Sequence, residues 1–270
     1  MYLCIYHGHC SDGFMAAVIV RRAIPNCSFH HGVHGEAPPV VAGLHVILVD
    51  FSYKRDILLG MAKAAASILI LDHHKSAEAE LHDLPDNVTA HFDMDRSGAM
   101  MTWNHYFPNT TAPKIVQHVQ DRDLWQFKLK GTREIIAALF SWPYEFDLWS
   151  TFLDSDDCSQ LERDGVAIER KQHKDVGELL KLTARRMLIG KFSVPVANLP
   201  YTLTSEAAHI MAQGELFAAC YWDTSAVRIF GLRSAVGGMD VSWIAQQYGG
   251  GGHKHAAGFS VPRDNTLATS

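Results

Sequence analysis

Three short apolar runs constrain the fold of this chain more than any other feature. Residues 2–6, 45–50 and 67–71 are rich in Ile, Leu and Val, which is typical of β-strands. Helical patterns lie between them at 12–23 and 54–65. Strands that are apolar on both faces and alternate with helices predict a parallel sheet with both faces covered, and therefore an α/β fold.

The next part of the chain predicts mainly helices. Residues 97–119 have a helical pattern with breaks at Pro108 and Pro113, and residues 131–153 predict short helices. A long polar pattern over 159–188 predicts one extended helix that could connect two lobes.

A change in character after Gly190 predicts a second domain. Several short strand patterns follow it, and then a helix at 240–248 and a glycine-rich segment at 249–261. We therefore expect three parts: a catalytic domain over 1–158, a helical connector over 159–190 and a smaller C-terminal α/β domain over 191–270.

The composition excludes several classes of function. A net charge of −5 over 270 residues does not predict a broadly basic surface for nucleic acid. The five cysteines are scattered and include no CxxC pair, which favours a reducing compartment over a disulfide framework or a structural zinc site. We expect no signal peptide, and no apolar run approaches the ~20 residues that a transmembrane helix needs. The expectation is a cytoplasmic protein without a membrane partner.

Polar side chains follow each of the three predicted strands. The segment "HGHCSDG" (7–13) follows the first strand, Asp50 ends the second, and Asp72-His73-His74 follows the third. The carboxyl ends of parallel strands share one edge of a sheet, and ligands bind in the crevice there. We therefore expect one set of side chains to converge: His7, His9, Asp12, Asp50, Asp72, His73 and His74.

These residue types predict a metal site. Crowded carboxylates repel one another and raise each other's pKa, and a divalent cation relieves this repulsion. Mixed carboxylate and imidazole ligands favour manganese, iron or zinc, and two ions that share a carboxylate would use this many ligands. The segment 119–125, "VQDRDLW", could add Asp121 or Asp123. A single Asp at a strand end is more often a helix cap or a turn residue, but three strand ends with this pattern favour the metal site.

The C-terminal region offers a second pattern, one that is suited to anions. Its glycines would let the backbone approach a ligand closely, and a histidine that follows them could donate to a phosphate. An arginine and a serine at a predicted strand end could grip a phosphate as well. The alternatives are a flexible turn for the glycines and simple exposure for the arginine. The residues concerned are Gly251, Gly252, His253, Arg233 and Ser234.

In their order and spacing these motifs resemble the DHH phosphoesterase superfamily, in the branch with a C-terminal DHH-associated domain. The segment "LDHHK" (71–75) resembles the motif that names the family. Further resemblances are "HGHCSDG", "VILVDFS" (46–52), "RSGAMMTW" (96–103) and "QDRDLW" (120–125). The segment "GLRSAVGGMDVSWIAQQYGGGGHKHAAGF" (231–259) resembles the end of the associated domain. The resemblance covers nearly the whole chain.

The resemblance implies a cofactor of two manganese ions, with Mg2+, Co2+ or Fe2+ as alternatives. Asp50 would bridge the two ions. The implied metal ligands are His7, Asp12, Asp50, His73 and Asp121. The family usually has an aspartate where this chain has Cys10, so the role of Cys10 at the metal stays open.

The resemblance also implies the residues that act on the substrate. Asp72 would orient its neighbours, and Ser97 would support the site by hydrogen bonding. The implied catalytic residues are Asp72, His74 and His253. The implied substrate-binding residues are His74, Ser97, Arg233, Ser234, Gly251, Gly252 and His253.

The activity implied by the resemblance is two-metal hydrolysis of a phosphate ester. A long single strand would need an extended basic groove with stacking aromatics, and this acidic chain favours short substrates. We therefore predict a manganese-dependent phosphodiesterase that cleaves short linear (di)nucleotides, such as pGpG or nanoRNA, to mononucleotides. The alternatives are a phosphatase for bisphosphorylated nucleosides, a cyclic dinucleotide phosphodiesterase and, from another class, a nucleotide sensor without turnover. We expect no long nucleic acid as partner and leave a homodimer open.

Overall fold

A parallel sheet forms the centre of the N-terminal unit, Met1–Glu169, in this computed structural model, which describes residues 1–269. Its strands are β1 (Tyr2–His7), β2 (Ser28–Gly32), β3 (His45–Val49), β4 (Ser67–Asp72) and β5 (Val88–Phe92). They lie in the order β2-β1-β3-β4-β5, and every neighbouring pair is parallel. The predicted α/β fold and the three predicted strands are confirmed.

Helices follow the strands and cover both faces of this sheet. They are α1 (Ser11–Ala23), α2 (Arg55–Ala64), α3 (Lys75–Glu80), α4 (Gly98–Tyr106), α5 (Lys114–Asp123), α6 (Thr132–Leu139) and α7 (Phe146–Asp154). The predicted helices are confirmed, and the chain between α4 and α5 contains the predicted breaks, with Pro113 as the N-cap of α5.

Alternate residues of each strand face two separate apolar cores. Ile47 and Val49 of β3 pack with residues of α1 and of α4 to α7. Val46 and Leu48 of the same strand pack in the other core, with residues of α2. Burial on both faces explains why β3 and β4 are nearly continuous apolar runs in the sequence.

The two strands that the sequence analysis missed lie at the edges of the sheet. β2 has the sequence "SFHHG" and β5 the sequence "VTAHF". Each pairs with one neighbour, and both contain exposed positions. Polar side chains are tolerated there, so the apolar signal of the central strands is absent.

The C-terminal unit, Arg170–Ser270, contains a mixed sheet. The long helix α8 (Ser159–Thr183) begins in the first unit and ends in this one. The strands are β6 (Arg185–Ile189), β7 (Phe192–Asn198), β8 (Ala218–Asp223), β9 (Val227–Arg233), β10 (Gly251–Gly252) and β11 (Ala256–Pro262). They lie in the order β10-β11-β9-β8-β7-β6, and among these pairs only β7 and β8 are parallel. The helices are α9 (Thr204–Met211), α10 (Val241–Gln246) and α11 (Thr266–Thr269), and a short 3-10 helix covers Tyr201–Leu203.

The predicted helix over 159–188 is wrong at its C-terminal end. The helix ends at Thr183, and the following residues form the edge strand β6. Tertiary contacts override the local helical pattern: Gly190 turns the chain with a φ of 60°, and Arg186 pairs with Glu215 at 2.7 Å. α8 is 25 residues long but polar, and no helix among residues 1–269 combines the length and the apolar character needed to cross a bilayer.

Candidate metal centre

The topology of the first sheet brings the predicted site residues to one edge. The strand order reverses at β1, which has β2 on one side and β3 on the other. In open α/β sheets, ligands bind at the carboxyl ends of the strands beside such a reversal. β1 ends at His7, Asp50 directly follows β3, and β4 ends at Asp72. This edge of the sheet is therefore the expected location of a ligand-binding site.

His7, Asp50 and His74 form the first cluster. Each offers a ligand atom within 4.8 Å of the others. His7 Nδ1 lies 3.4 Å from Asp50 Oδ2, both atoms are buried, and neither forms a hydrogen bond within the described part of the chain. Buried polar atoms normally have partners. A transition-metal ion holds imidazole and carboxylate ligands at about 2.0–2.2 Å each, so an ion between these two atoms would fit and would satisfy both.

Asp12, Asp50 and His73 form the second cluster, which shares Asp50 with the first. His73 Nε2 lies 3.0 Å from Asp50 Oδ1 and 3.9 Å from Asp12 Oδ2. It also lies 3.5 Å from Asp123 Oδ2. All three members are buried. A carboxylate that belongs to two adjacent ligand sets is suited to bridge two ions.

The N-terminus of α4 holds these carboxylates in place. Gly98 N and Ala99 N donate to the two Asp12 oxygens, at 2.6 and 3.1 Å, a favourable arrangement for an anion at a helix start. Gly98 also packs directly on Asp50: a Cβ added there would lie 2.4 Å from the Asp50 Cβ. Asp50 itself has a φ of 54°, which is strained for a residue other than glycine.

The substitution Gly98→Ala should lower the free energy of unfolding by about 1–3 kcal/mol, because the new methyl group would overlap Asp50. It should also weaken the binding of a metal ion at these clusters, since α4 can no longer hold Asp12 in the same position. Gly60→Ala in α2 is the matched control, because a Cβ there meets no atom within 4 Å. The control should be neutral or gain up to about 1 kcal/mol. Chemical denaturation of both variants tests this, and equal stabilities would contradict it.

The buried carboxylates and imidazoles of this site shift one another's pKa values. Burial raises the pKa of Asp12, and the neighbouring Asp50 and Asp123 carboxylates raise it further. Burial opposes ionisation of Asp50 as well, but the imidazoles of His7 and His73 outweigh burial and hold its pKa well below the usual value. Burial would lower the pKa of His73, yet the surrounding carboxylates raise it to about 10. The carboxylates thus create a negative electrostatic potential that stabilises a protonated imidazole, and the same potential would stabilise a metal cation.

Binding of a divalent metal ion at these clusters should release protons, because a histidine ligand must be neutral. His73 has a pKa of about 10 without metal, above its unfolded value of about 6.5. Its protonation therefore stabilises the metal-free fold fully below pH ~6.5, and this stabilisation is lost as the pH rises toward 10. Between these limits, the affinity for the metal ion should rise about tenfold per pH unit. Calorimetry at one pH in two buffers of different ionisation enthalpy measures the protons released, and a value near zero would contradict the prediction.

Asp72 positions His74. Its Oδ1 accepts a hydrogen bond from His73 N at 2.7 Å and lies 2.7 Å from His74 Nδ1, and Ser52 Oγ donates to its Oδ2 at 2.6 Å. Burial would lower the pKa of His74, but the charge and the hydrogen bond of Asp72 outweigh burial and raise it. Since Nδ1 is engaged with Asp72, Nε2 is the ring nitrogen that His74 can offer to a ligand.

Asp121 belongs to neither cluster among the described residues, and the ligand role predicted for it stays a prediction. Its Oδ1 accepts from Lys128 N at 2.8 Å, and its Oδ2 accepts from Leu129 N at 3.0 Å and from Thr132 Oγ1 at 2.6 Å. Both oxygens are thus occupied by the following loop. Asp123, two residues later, is the carboxylate that reaches His73.

Cys10 and His9, two residues of the first motif, lie in different environments. Cys10 is the N-cap of α1, and burial together with Asp50, Asp123 and Asp12 raises the pKa of its thiol. Among the described residues it belongs to neither cluster. His9 is exposed, with a φ of 58°, and its ring faces His31 at a centroid distance of 6.4 Å. The expected convergence of His9 with the other strand-end residues is therefore wrong.

The sequence analysis missed His34, a neighbour of the first cluster. The residue is exposed overall, but its ring packs on Phe51 at a centroid distance of 4.7 Å and lies 5.4 Å from the His7 ring. Burial of the ring and the His7 and His74 imidazoles lower its pKa to about 4. The only signal in the sequence was the histidine-rich segment "HHGVHGE" (30–36), which does not follow any of the three predicted strands.

Ser97 is buried next to the site, and its side chain is not accessible to a substrate. It is fully buried, and its Oγ accepts from Met100 N at 3.3 Å as the N-cap of α4. A hydrogen bond from Ser97 also lowers the pKa of Asp12. The expected support by hydrogen bonding fits this position, whereas the predicted contact of Ser97 with a substrate does not.

The other candidate residues belong to the C-terminal unit. Arg233 donates to Ser205 Oγ at 2.8 Å. Ser234 is buried, donates to Met239 O and lies 2.8 Å from His255 Nδ1, so its hydroxyl is used inside this unit rather than for a substrate. His253 N donates to Ala256 O at 2.8 Å in the turn between β10 and β11. The roles of Arg233 and His253 stay predictions.

Close packing explains Gly252 of β10. Gly251 pairs with Gly258, and Gly252 with Ala257. A Cβ added at Gly252, which has a φ of 135°, would lie 2.6 Å from Ala256 O. The approach to β11 is therefore sufficient reason for glycine here, and binding of a substrate by Gly251 and Gly252 stays a prediction.

One curated relative resembles this chain over most of its length. No protein-family model matches the sequence. The chain is 29% identical over 288 residues to an uncharacterized protein, R106, of Acanthamoeba polyphaga mimivirus, and the alignment covers 95% of this chain and 66% of that protein. The chain thus spans about two thirds of that relative's length.

Two solved structures share the fold. One is a pGpG-specific phosphodiesterase, PggH, from Vibrio cholerae, with 15% identity and a TM-score of 0.51 over 97% of this chain and 94% of that one. The other is an exopolyphosphatase-related protein from Bacteroides fragilis, with 11% identity and a TM-score of 0.53 over 99% of this chain and 88% of that one. At these identities the likeness establishes a common fold.

Proposed function

We propose that this chain is a manganese-dependent phosphodiesterase of the DHH type that hydrolyses short linear dinucleotides, such as pGpG, to mononucleotides. One observation carries the proposal: two His/Asp clusters share Asp50 at the switch point of the parallel sheet, and two buried ligand atoms there form no hydrogen bond with any residue that the structure describes. This donor set fits a pair of divalent transition-metal ions. The fold shared with a pGpG-specific phosphodiesterase supports the substrate class.

The proposed ligands follow from the two clusters. His7 and Asp50 would hold one ion, and Asp12, Asp50, His73 and Asp123 would hold the other, with Asp123 in the place first assigned to Asp121. When bound, divalent ions supply Lewis acidity that offsets charge on phosphate oxygens and lowers the pKa of water. The four aspartates around the site, Asp12, Asp50, Asp72 and Asp123, would repel a phosphate by themselves, so a phosphate should bind at the two clusters themselves only when the cations are present.

The protein's own contribution to hydrolysis is positioning and charge. Asp72 fixes the ring of His74 through Nδ1, so that Nε2 can donate a hydrogen bond to a phosphate oxygen. The raised pKa of His74 favours the protonated ring that this role needs. The neutral His34 ring, beside His7, can donate or accept a hydrogen bond at the same edge.

A substrate panel tests the proposed activity. The purified protein is assayed with manganese against pGpG, other linear dinucleotides, a 20-residue oligonucleotide, a cyclic dinucleotide and a bisphosphorylated nucleoside. The proposal predicts that linear dinucleotides have the highest kcat/KM and that a chelator abolishes turnover. Equal rates on the 20-residue oligonucleotide would contradict the preference for short substrates. Turnover of the bisphosphorylated nucleoside alone would contradict the phosphodiesterase assignment.

A further inference from the structure

A surface of stacked aromatic and arginine side chains follows the metal cluster along the chain. Arg122 lies over the Trp125 and Phe140 rings, at 5.1 and 5.4 Å from their centroids. Arg133 lies over the Phe127 ring at 3.8 Å, and the Trp125 and Phe127 rings are 5.0 Å apart. We call these five residues the aromatic–arginine surface. Its first member, Arg122, directly precedes Asp123, and its next member, Trp125, lies two residues after Asp123.

The backbone of this surface is strained. Trp125 has a φ of 55° and Phe127 a φ of 49°, a conformation that is a genuine outlier for bulky residues and costs of the order of 1–3 kcal/mol each. Asp121 holds the segment in this conformation. Its backbone oxygen accepts from Gln126 N and Phe127 N, and its carboxylate accepts from Lys128 N and Leu129 N. The buried Asp121 thus stabilises a loop that presents two aromatic rings, and such strain is commonly found at functional sites.

The three aromatic residues of this surface are not fully buried. Trp125 and Phe127 are half-buried, and the Phe140 residue is 43% exposed. Apolar rings of this size are usually buried in a core. A strained loop that keeps them partly exposed points to a ligand that stacks on them.

Residues 122–133 contain four cationic side chains, Arg122, Lys128, Lys130 and Arg133, and one carboxylate, Asp123, in a protein whose net charge is −5. Arg122, Lys128 and Lys130 form no ion pair with any side chain that the structure describes, and Arg133 has a carboxylate neighbour, Glu169, at 3.8 Å. Cations interleaved with aromatic rings are the arrangement with which proteins bind single-stranded nucleotides, because the base stacks and the phosphate meets a cation. The ligand chemistry that fits is therefore an aromatic base with a phosphate attached.

We propose that the aromatic–arginine surface is a nucleotide subsite, in which a nucleobase stacks on Trp125 and Arg122 binds the adjoining phosphate. The proposal rests on the proposed function for its place in the reaction, since it locates one base of the dinucleotide beside Asp123. The stacking itself requires neither metal nor turnover. Every base has a flat ring face, so the subsite contributes affinity for nucleotides with little preference among bases.

Binding without metal tests this subsite separately from catalysis. Calorimetry in a chelator compares GMP with ribose 5-phosphate, which has the same sugar and phosphate but no base. The wild-type protein should bind GMP at least about tenfold more tightly. Trp125→Leu, which keeps an apolar side chain but removes the ring, should lose that preference, and Trp125→Phe should retain most of it. Trp142→Leu is the matched control, since Trp142 is a tryptophan of the same unit that is 45% exposed and outside the surface.

Arg122→Gln provides a second variant that does not alter the strained segment. It should weaken GMP and ribose 5-phosphate alike and lower the salt dependence of binding by about one charge. Wild-type protein that does not distinguish GMP from ribose 5-phosphate would overturn the proposal, as would a Trp125→Leu variant that keeps the wild-type preference. A protein that shows this base-dependent binding but hydrolyses no dinucleotide would contradict the proposed function and leave the subsite standing.

Discussion

Replacing Asp50 by asparagine should lower manganese-dependent hydrolysis of a linear dinucleotide by at least about 1,000-fold. Asp50 is the one residue common to both clusters, so its charge would serve two ions at once. Loss of several kcal/mol of charge stabilisation corresponds to this factor, because each 1.36 kcal/mol changes a rate tenfold. The substitution keeps the shape of the side chain, and asparagine tolerates the positive φ at this position better than most residues. The measurement is kcat/KM at saturating manganese, together with metal content after dialysis.

The control for Asp50→Asn is Asp147→Asn in α7. Asp147 is exposed and pairs with Arg21 at 2.6 Å, so its loss removes the same charge from a surface ion pair of little energetic weight. The control should keep wild-type turnover and metal content. An Asp50→Asn variant that retains both would mean that Asp50 binds no catalytic ion.

Asp123→Asn should affect metal binding, whereas Asp121→Asn should affect the stability of the fold. Asp123 Oδ2 is 3.5 Å from His73 Nε2, and its loss should weaken manganese binding about 100-fold while the fold stays intact. Asp121 instead anchors two backbone N–H groups and the Thr132 hydroxyl. Its replacement should lower the free energy of unfolding by about 2 kcal/mol.

Each of these two substitutions is the control for the other, because both replace an aspartate by asparagine and the two residues lie two positions apart in the same helix turn. Manganese affinity is measured by calorimetry and stability by urea denaturation for both variants. Full manganese affinity in Asp123→Asn, combined with loss of metal in Asp121→Asn, would restore the ligand set that the family resemblance implies and contradict the one derived from the structure.

Local pattern was sufficient to predict the strands that carry the site. β1, β3 and β4 are buried on both faces, so their apolar character is visible without any knowledge of their neighbours. β2 and β5 are edge strands with polar residues, and their pairing depends on the central strands rather than on their own sequence. The same limit applies to Arg185–Ile189, where a helical pattern became a strand because of its partners in the sheet.

The direction of a side chain was beyond the reach of the sequence. Asp121 and Asp123 are equivalent candidates in "QDRDLW", and only the loop that folds over Asp121 decides between them. His34 lies in a turn after an edge strand, and it reaches the site through the packing of its ring on Phe51. Conversely, the glycines before His253 suggest ligand contact in the sequence, whereas the close approach of β11 is enough to require Gly252.

Anomalous diffraction from a crystal of the manganese-loaded protein, recorded at the manganese absorption edge, shows directly whether two ions share Asp50. We expect two peaks at the carboxyl edge of the parallel sheet, with Asp50 between them, His7 next to one peak, and Asp12, His73 and Asp123 around the other. A map at saturating manganese with no peak next to Asp50 would contradict this expectation.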